Sequence, residues 1–482
     1  MSDVILFRPK AANKLSGRYP VGLIYIATPI IQKGITVKII DQEASPDWKA
    51  ELEQHLSSST ICVGVSVMTG VAIKFALEFS EAVKKIHNTP VIWGGIHPSF
   101  LPAETLANIY IDIVVIGEGD YKFLRVIEQI KNNQTLENIN GIAFKESGQI
   151  KFTKPEKEFI DLNQLPVPEF GLANLGFYKK SELGFPEGTV LHLNVDRGCP
   201  YRCAFCYNIR FNDRKWRAMS SSRIISQLEE LIPKHKPSAI NFISDNLFVD
   251  KNRVRQLCQA LADKAFNLPW HADMRVDTFL HYEDDLILLI KKSGCQAITF
   301  GVESGSDRVL RLINKDITVS DVVKAHKRAL KFGFALNYHF MIGFPEETKK
   351  DIIQTVKLSK LLTQDDHVNV WGPAMYVPYP GTPLFDKSCQ MGFVPPKKLE
   401  NWIDYDWEDT SKLPFLTKDF KNYINEVQTI CRGSLHRNMK QGIIKKLIYL
   451  YSRFRLNLLL SGVRFFDLDT KLMRIIRDKK TS

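Results

Sequence analysis

The chain has 482 residues, 44% hydrophobic and 24% charged, with eight cysteines and a formal net charge of +12. That length exceeds one ordinary core, so two or three domains are expected, and the composition excludes a disordered or fibrous chain. The opening Met1-Ser-Asp-Val-Ile-Leu-Phe-Arg-Pro9 lacks a basic-then-apolar leader, and no apolar run approaches the ~20 residues of a spanning helix. A cytoplasmic protein with reduced thiols is therefore expected, and a disulfide framework is not.

Residues 1–135 alternate β-branched runs with helical periodicity. Strands are expected at 4–7, 37–40, 61–66, 91–93 and 113–116, with helices at 22–33, 48–56, 71–86 and 101–108. Such alternation predicts an α/β, doubly wound, Rossmann-like parallel sheet, whose ligands bind beyond the carboxyl ends of the strands. Those ends carry Ser66, then Gly94-Gly95-Ile-His97-Pro98, then Gly117-Glu118-Gly119-Asp120. Small residues there let a ligand approach the backbone. Residues 136–187 read as a linker, with a hairpin-like stretch at 141–152 and a Leu165-Pro-Val-Pro168 segment that cannot be helical.

The run 190–196 is β-like and ends in a Gly198 turn, after which comes Cys199-Pro-Tyr-Arg-Cys203-Ala-Phe205-Cys206. Thiolates spaced three and then two residues apart can take three corners of a cubane iron–sulfur cluster, leaving the fourth iron open to a substrate. Structural zinc is the competing reading, but it wants four ligands in paired clusters. Here Cys258, Cys295, Cys389 and Cys431 are scattered singly. Through 188–395 the βα alternation resumes. Strands are expected near 239–243, 269–272, 297–301, 336–342 and 368–371, and helices near 221–232, 251–265, 284–293 and 320–332. A partial TIM-type barrel follows, with its chemistry at the carboxyl ends of the strands. Residues 396–482 read as a mostly helical extension. Between Lys440 and Lys480 it carries eleven basic against three acidic residues, a net of +8. Its segment 443–460 is a basic amphipathic helix that can lie on an anionic membrane surface or pack on the barrel. No nucleic-acid module is evident, so no nucleic-acid partner is expected.

The cysteine pattern, with Phe205 before its last member, resembles the signature of radical S-adenosylmethionine (SAM) enzymes. In that family the open iron of a 4Fe-4S cluster chelates SAM and cleaves it to a 5′-deoxyadenosyl radical. The resemblance implies that Cys199, Cys203 and Cys206 hold the cluster and that Phe205 flanks SAM. Asp245, in Phe242-Ile-Ser-Asp-Asn246, stands where the family accepts the SAM amine, although the family's glycines are absent. Glu303 and Ser304, in Thr299-Phe-Gly-Val-Glu-Ser-Gly-Ser306, match the ribose and carboxylate segment. Gly343, in Phe340-Met-Ile-Gly-Phe-Pro-Glu-Glu347, matches the adenine segment, with His339 where the family has its first Gly.

The first 135 residues are similar to the cobalamin-binding domain fused to many such enzymes. This implies that Ser66, Gly94, Gly95, Gly117 and Glu118 bind cobalamin. His97 is as well explained by capping or packing as by ligand contact. The cobalt-ligating Asp-x-His-x-x-Gly reads Asp41-Gln-Glu43-Ala-Ser-Pro46 here, so a lower histidine ligand is missing. Trp216-Arg217-Ala-Met-Ser220 and Tyr376-Val-Pro-Tyr-Pro-Gly381-Thr-Pro-Leu-Phe385 also resemble segments of the cobalamin-linked subgroup. The expectation is a cobalamin-dependent radical SAM methyltransferase acting on an unactivated carbon of a small-molecule or lipid substrate. An external flavodoxin or ferredoxin would donate electrons, with peripheral contact at the inner membrane surface. The alternatives are a cyclase or oxidase resembling anaerobic porphyrin-ring cyclases, or a non-catalytic cobalamin or redox sensor.

Overall fold

The computed structural model describes residues 1–11, 18–156, 158–178, 185–405, 416–435 and 443–462. The chain forms two compact units, the first from residues 1–180, 379–381 and 394–406 and the second from the remainder.

The first unit is a seven-stranded sheet of β1 (Val4–Arg8), β2 (Val37–Asp41), β3 (Cys62–Ser66), β4 (Val91–Gly94), β5 (Ile113–Val115), β6 (Ile142–Glu146) and β7 (Gln149–Phe152). The order is β2-β1-β3-β4-β5-β6-β7, and the first five strands are parallel. This is a doubly wound order in which connections diverge between β1 and β3, where ligand crevices form. The strands are almost wholly buried, as β-branched strands covered on both faces must be. Two expectations change. The hairpin placed in the linker extends the sheet, since β6 pairs antiparallel with β5 and buries Ile142, Ala143 and Phe144. The helix expected over 101–108 is two short turns, Ile96–Phe100 and Pro102–Leu106. Pro102 can open a helix but disfavours helical backbone at Leu101, so the break falls there.

The second unit contains β8 (Val190–Asn194), the ribbon β9 (Asp196–Arg197) with β10 (Arg217–Ala218), then β11 (Ala239–Ile243), β12 (Trp270–Met274), β13 (Cys295–Glu303), β14 (Ala335–Ile342) and β15 (Val368–Met375). Six of these form one parallel sheet, β15-β14-β13-β12-β11-β8, in which, among the described residues, β15 and β8 pair with no strand on their outer edges. That is an open, partial (β/α) barrel. Its outer faces pack on helices, as where Phe300 meets Phe279 edge-on and the Tyr338 hydroxyl meets His326 Nδ1 at 2.9 Å. Helices start where the sequence offers caps. Ser220 caps Ser221–His235, and Thr318 and Thr348 form capping boxes with Asp321 and Asp351. The extension contributes helices Lys418–Ser434 and Ile443–Leu460. Lys440 and the charged residues from Arg464 onward lie outside the described residues.

Candidate functional site

In the second unit the cysteine loop leaves β9 through Gly198, whose φ is +82° and where a Cβ would stand 2.0 Å from the Lys215 carbonyl. Only glycine fits. The loop is then pinned at Ala204 from two sides: Ala204 N donates to Ile313 O at 2.8 Å, and Leu384 N donates to Ala204 O at 3.0 Å. The second of these gives the Pro383-Leu384 motif a concrete task. Phe205 packs half-buried against an apolar cluster of Val309, Ile313, Phe344, Tyr376 and Leu384.

The three thiols are free of disulfides. Burial pushes the Cys199 thiol up and the Cys206 thiol to about 12, so in the metal-free protein they sit as neutral groups that give up protons on binding metal. Two donors face their sulfurs. Arg275 Nη1 lies 3.4 Å from Cys203 Sγ, and Asn246 Nδ2 lies 3.7 Å from Cys199 Sγ. Among the described residues no three His, Cys, Asp or Glu side chains converge on one metal ion.

Asp245 sits directly beyond β11. It accepts from Gly198 N at 2.6 Å and from the Tyr207 hydroxyl at 3.1 Å, so the structure brings it to the cysteine loop. Beneath it, buried Asp196 accepts from Ser244 Oγ (2.5 Å), Asp245 N (2.9 Å) and Asn246 N (3.1 Å). Burial raises its carboxyl to about 6 despite those donors. Trp216 fixes the same turn from outside, donating to Asn246 O at 3.0 Å.

Glu303 ends β13 after a register shift, with φ at +70°, a costly region for a non-glycine residue. Its Oε1 accepts from Lys315 Nζ at 2.9 Å in a buried ion pair. Lys315 Nζ also lies 5.8 Å from the Phe205 ring centre, which places Glu303 beside the cysteine loop. Gly343, with φ +88°, turns the chain after β14, and both Gly343 N and Phe344 N donate to Glu347 Oε2. Ser304 differs. It is fully buried, its hydroxyl bonded to Thr355 Oγ1 at 3.2 Å and accepting from Ser306 N. That arrangement braces the loop after β13.

Three residues of this site have no local sequence signal. Arg275 forks onto Asp277 at 2.9 and 3.0 Å, donates to Lys315 O at 2.7 Å and lies 3.6 Å over the Tyr201 ring. Burial opposes its charge, but Asp277 more than offsets this. Lys315 and Arg253, which donates to the Met219, Val195 and Leu247 carbonyls, were likewise unexpected. Each also has a partner well removed in sequence: Cys203 for Arg275, Val195 for Arg253 and Glu303 for Lys315.

In the first unit Ser66, Gly94, Gly95 and Gly117 line one cavity of about 140 Å³, with Leu6, Gly64 and Phe123. Its position at the ends of β3, β4 and β5 is where this sheet order receives ligands. The volume is of the order that admits a single benzene-sized ring. Gly95 (φ +103°) is obligatory, because a Cβ would meet Val67 O at 2.7 Å. Glu118 is outside this lining; it accepts from Ile160 N at 3.3 Å. His97 is a packed residue, 1% exposed, bonded to Thr69 Oγ1 at 3.0 Å and edge-on to Trp402. Glu43, at the place of the missing histidine, is buried and paired with Arg8 at 3.4 Å, and Arg8 also holds Asp41.

Comparison with known proteins agrees with this geometry. Residues 193–359 match the radical SAM superfamily model and residues 16–127 match the B12 binding domain. The chain is 30% identical over 389 residues to the uncharacterized methyltransferase PH0819 of Pyrococcus horikoshii, covering 80% of this chain and 81% of that protein. It is 24% identical over 441 residues to the anaerobic magnesium-protoporphyrin IX monomethyl ester cyclase of Cereibacter sphaeroides, covering 89% and 66%. The fold matches the radical SAM methyltransferase TsrM of Kitasatospora setae, solved with cobalamin and a [4Fe-4S] cluster, at TM-score 0.66 and 16% identity, covering 82% of this chain and 80% of that one. The chain is an enzyme of the radical SAM superfamily, in the group that carries a B12 binding domain ahead of the radical SAM domain.

Proposed function

We propose that this enzyme is a cobalamin-dependent methyltransferase acting on an unactivated carbon of a small molecule, with electrons from an external flavodoxin- or ferredoxin-type donor. The observation that carries the reading is one chain holding both the three-thiol loop and the glycine-walled cavity at the sheet's ligand-binding edge. When bound, the cluster and SAM supply radical chemistry and cobalamin supplies a transferable methyl group.

The chain's own residues bind and orient. Cys199, Cys203 and Cys206 hold the cluster, and Arg275 and Asn246 donate to its thiolates. Asp245 keeps carboxylate lone pairs beyond those used by Gly198 and Tyr207, and these accept the SAM ammonium. Glu303, held by Lys315, accepts from the ribose, while Phe205 and the Gly343 turn flank the adenine. Ser304 supports this wall through Thr355. Ser66, Gly94, Gly95 and Gly117 cradle cobalamin, and Glu118 fastens the loop beside it to Ile160.

The test is anaerobic incubation of the reconstituted enzyme with SAM and a low-potential reductant. S-adenosylhomocysteine released only when cobalamin is bound supports methyl transfer. Formation of 5′-deoxyadenosine with no S-adenosylhomocysteine supports the cyclase reading, which the Cereibacter relative favours.

We also infer that helix Ile443–Leu460 rests on an anionic membrane surface. Leu447, Leu450 and Phe454 share one face and are 60%, 53% and 55% exposed, beside exposed Lys446 and Arg453. The other face is buried, with Arg455 paired to Glu426 at 2.8 Å. Among the described residues no helix is long and apolar enough to cross a membrane. Flotation with phosphatidylserine vesicles, lost in a Leu447→Glu/Phe454→Glu variant, checks this; equal flotation of the variant overturns it.

A further inference from the structure

The inner face of the barrel is built in three tiers. The lowest is a hydrogen-bonded chain across adjacent strands. Asn241 Nδ2 bonds His192 Nδ1 at 3.0 Å, His271 Nδ1 bonds Asn241 Oδ1 at 2.9 Å, and His271 Nε2 bonds Thr299 Oγ1 at 2.7 Å. On the next two strands Asn369 Nδ2 donates to Asn337 Oδ1 at 3.4 Å as a separate pair. These side chains are buried or nearly so and partner one another, which makes a closed polar floor. The uppermost tier is the cofactor site, with Asp245, Arg275 and Glu303 following β11 and β12 and ending β13.

Between them, two residues below the top and two above the floor along their strands, lie Ile243, Asp273 and Gly301, with Asn194 beside Ile243 and His339 beside Gly301. This middle tier is open. The Asp273 side chain is 66% exposed, with His271 Nε2, at 3.9 Å, as its one ion-pair neighbour among the described residues. His339 is exposed as well. The cations nearby are already paired, Arg275 with Asp277 and Lys315 with Glu303. Thr299 is the register partner of Asp273 and Gly301 that of His339; Gly301 has no side chain, and a Cβ there would stand 2.7 Å from Glu303 Oε1, so the upper-tier ion pair reaches down to this point. Among the described residues, Asp273 is thus a barrel carboxylate with no lysine or arginine paired to it, two residues before Arg275 along the chain.

We propose that the middle tier is the substrate-head site, and that it takes a small molecule bearing a protonated amine. Asp273 accepts from the ammonium, His339 is a second polar contact, and the carbon to be methylated lies above, toward the cysteine loop. A lumen carboxylate without a counter-cation favours a cationic ligand and disfavours an acidic one. His339 stands where the family resemblance has glycine, so this contact is a property of this chain. The inference rests on the radical SAM reading of the upper tier.

The test is equilibrium dialysis of the anaerobically reconstituted full-length enzyme against 1-hexylamine, 1-hexanol and hexanoate, three probes of one length that differ in head group. The amine binds tightest, and Asp273→Asn weakens it about tenfold or more, the scale of one lost charge-assisted hydrogen bond. His339→Gln gives a smaller loss. Asparagine is isosteric and the site is exposed, so folding is not at stake. Hexanoate binding as tightly as hexylamine overturns the proposal, as does hexylamine binding that Asp273→Asn leaves unchanged. SAM affinity falling by the same factor also overturns it, because Asp273 would then serve SAM. Failure of the radical SAM reading is seen separately, as absence of the cluster's absorption in the same samples.

Discussion

Arg275 offers a sharp quantitative test of the site. Its guanidinium reaches Cys203 Sγ at 3.4 Å and is anchored by Asp277, Lys315 O and the Tyr201 ring. Hydrogen bonds and charge at the sulfurs set the potential of an iron–sulfur centre. A unit charge about 6 Å from the added electron, at an effective dielectric constant of about 20, is worth ~3 kcal/mol. Asp277, bound to the other edge of the guanidinium, stays in an Arg275 variant, so the loss of the arginine charge is felt in full, ~130 mV for a one-electron couple. Arg275→Met should therefore move the midpoint potential of the reconstituted cluster ~130 mV more negative, and Arg275→Lys by less, because lysine keeps the charge but not the fork. The assay is a redox titration followed by electron paramagnetic resonance, with circular dichroism to confirm folding. An unchanged or more positive potential in a folded Arg275→Met protein would refute the reasoning.

Three further outcomes follow from the geometry. Gly94→Leu has room for its Cβ, whose nearest neighbour is Val115 at 4.0 Å, and fills the cavity; thermal stability should stay within about 2 °C while hydroxocobalamin is no longer retained after desalting. Gly198→Ala drives a methyl into the Lys215 carbonyl at positive φ, and the protein should lose cluster incorporation as measured by bound iron. Burial holds the Glu347 carboxyl up at about 8, against its Gly343 and Phe344 N–H donors. A carboxyl raised in the folded state contributes most below its unfolded value, and that contribution is lost as pH rises from about 4.5 through 8. Glu347→Gln keeps the acceptor oxygen, so its melting temperature should exceed that of the parent above pH ~8 and vary less with pH. A parallel pH profile for the two proteins would count against this.

What the sequence disclosed was local chemistry. Three cysteines within eight residues, the Gly94-Gly95 and Gly117 turns and the Gly198 corner each state their constraint within a few positions, and the structure gives each a place at a strand end. The break at Leu101 was also readable, since Pro102 announces it. What stayed hidden depends on partners far along the chain. Arg275 matters because Cys203 is 72 residues away, and Lys315 because its bond to Glu303 holds a backbone angle that a glutamate seldom adopts. The hairpin at 141–152 reads as linker because β6 and β7 form the antiparallel edge of an otherwise parallel alternation. Ser304 shows the same limit: a motif names a residue type, while the partner of its hydroxyl, Thr355, lies 51 residues on.

The most direct test of the account is one absorption spectrum after anaerobic reconstitution with iron, sulfide and hydroxocobalamin and desalting, for the parent and for the Cys199→Ala/Cys203→Ala/Cys206→Ala variant. Cluster and corrin bands together are expected in the parent, and corrin bands alone in the variant. Cluster absorption or full activity surviving in the variant would contradict the cluster assignment, and a parent that keeps its cluster but no corrin would contradict cobalamin-dependent methyl transfer.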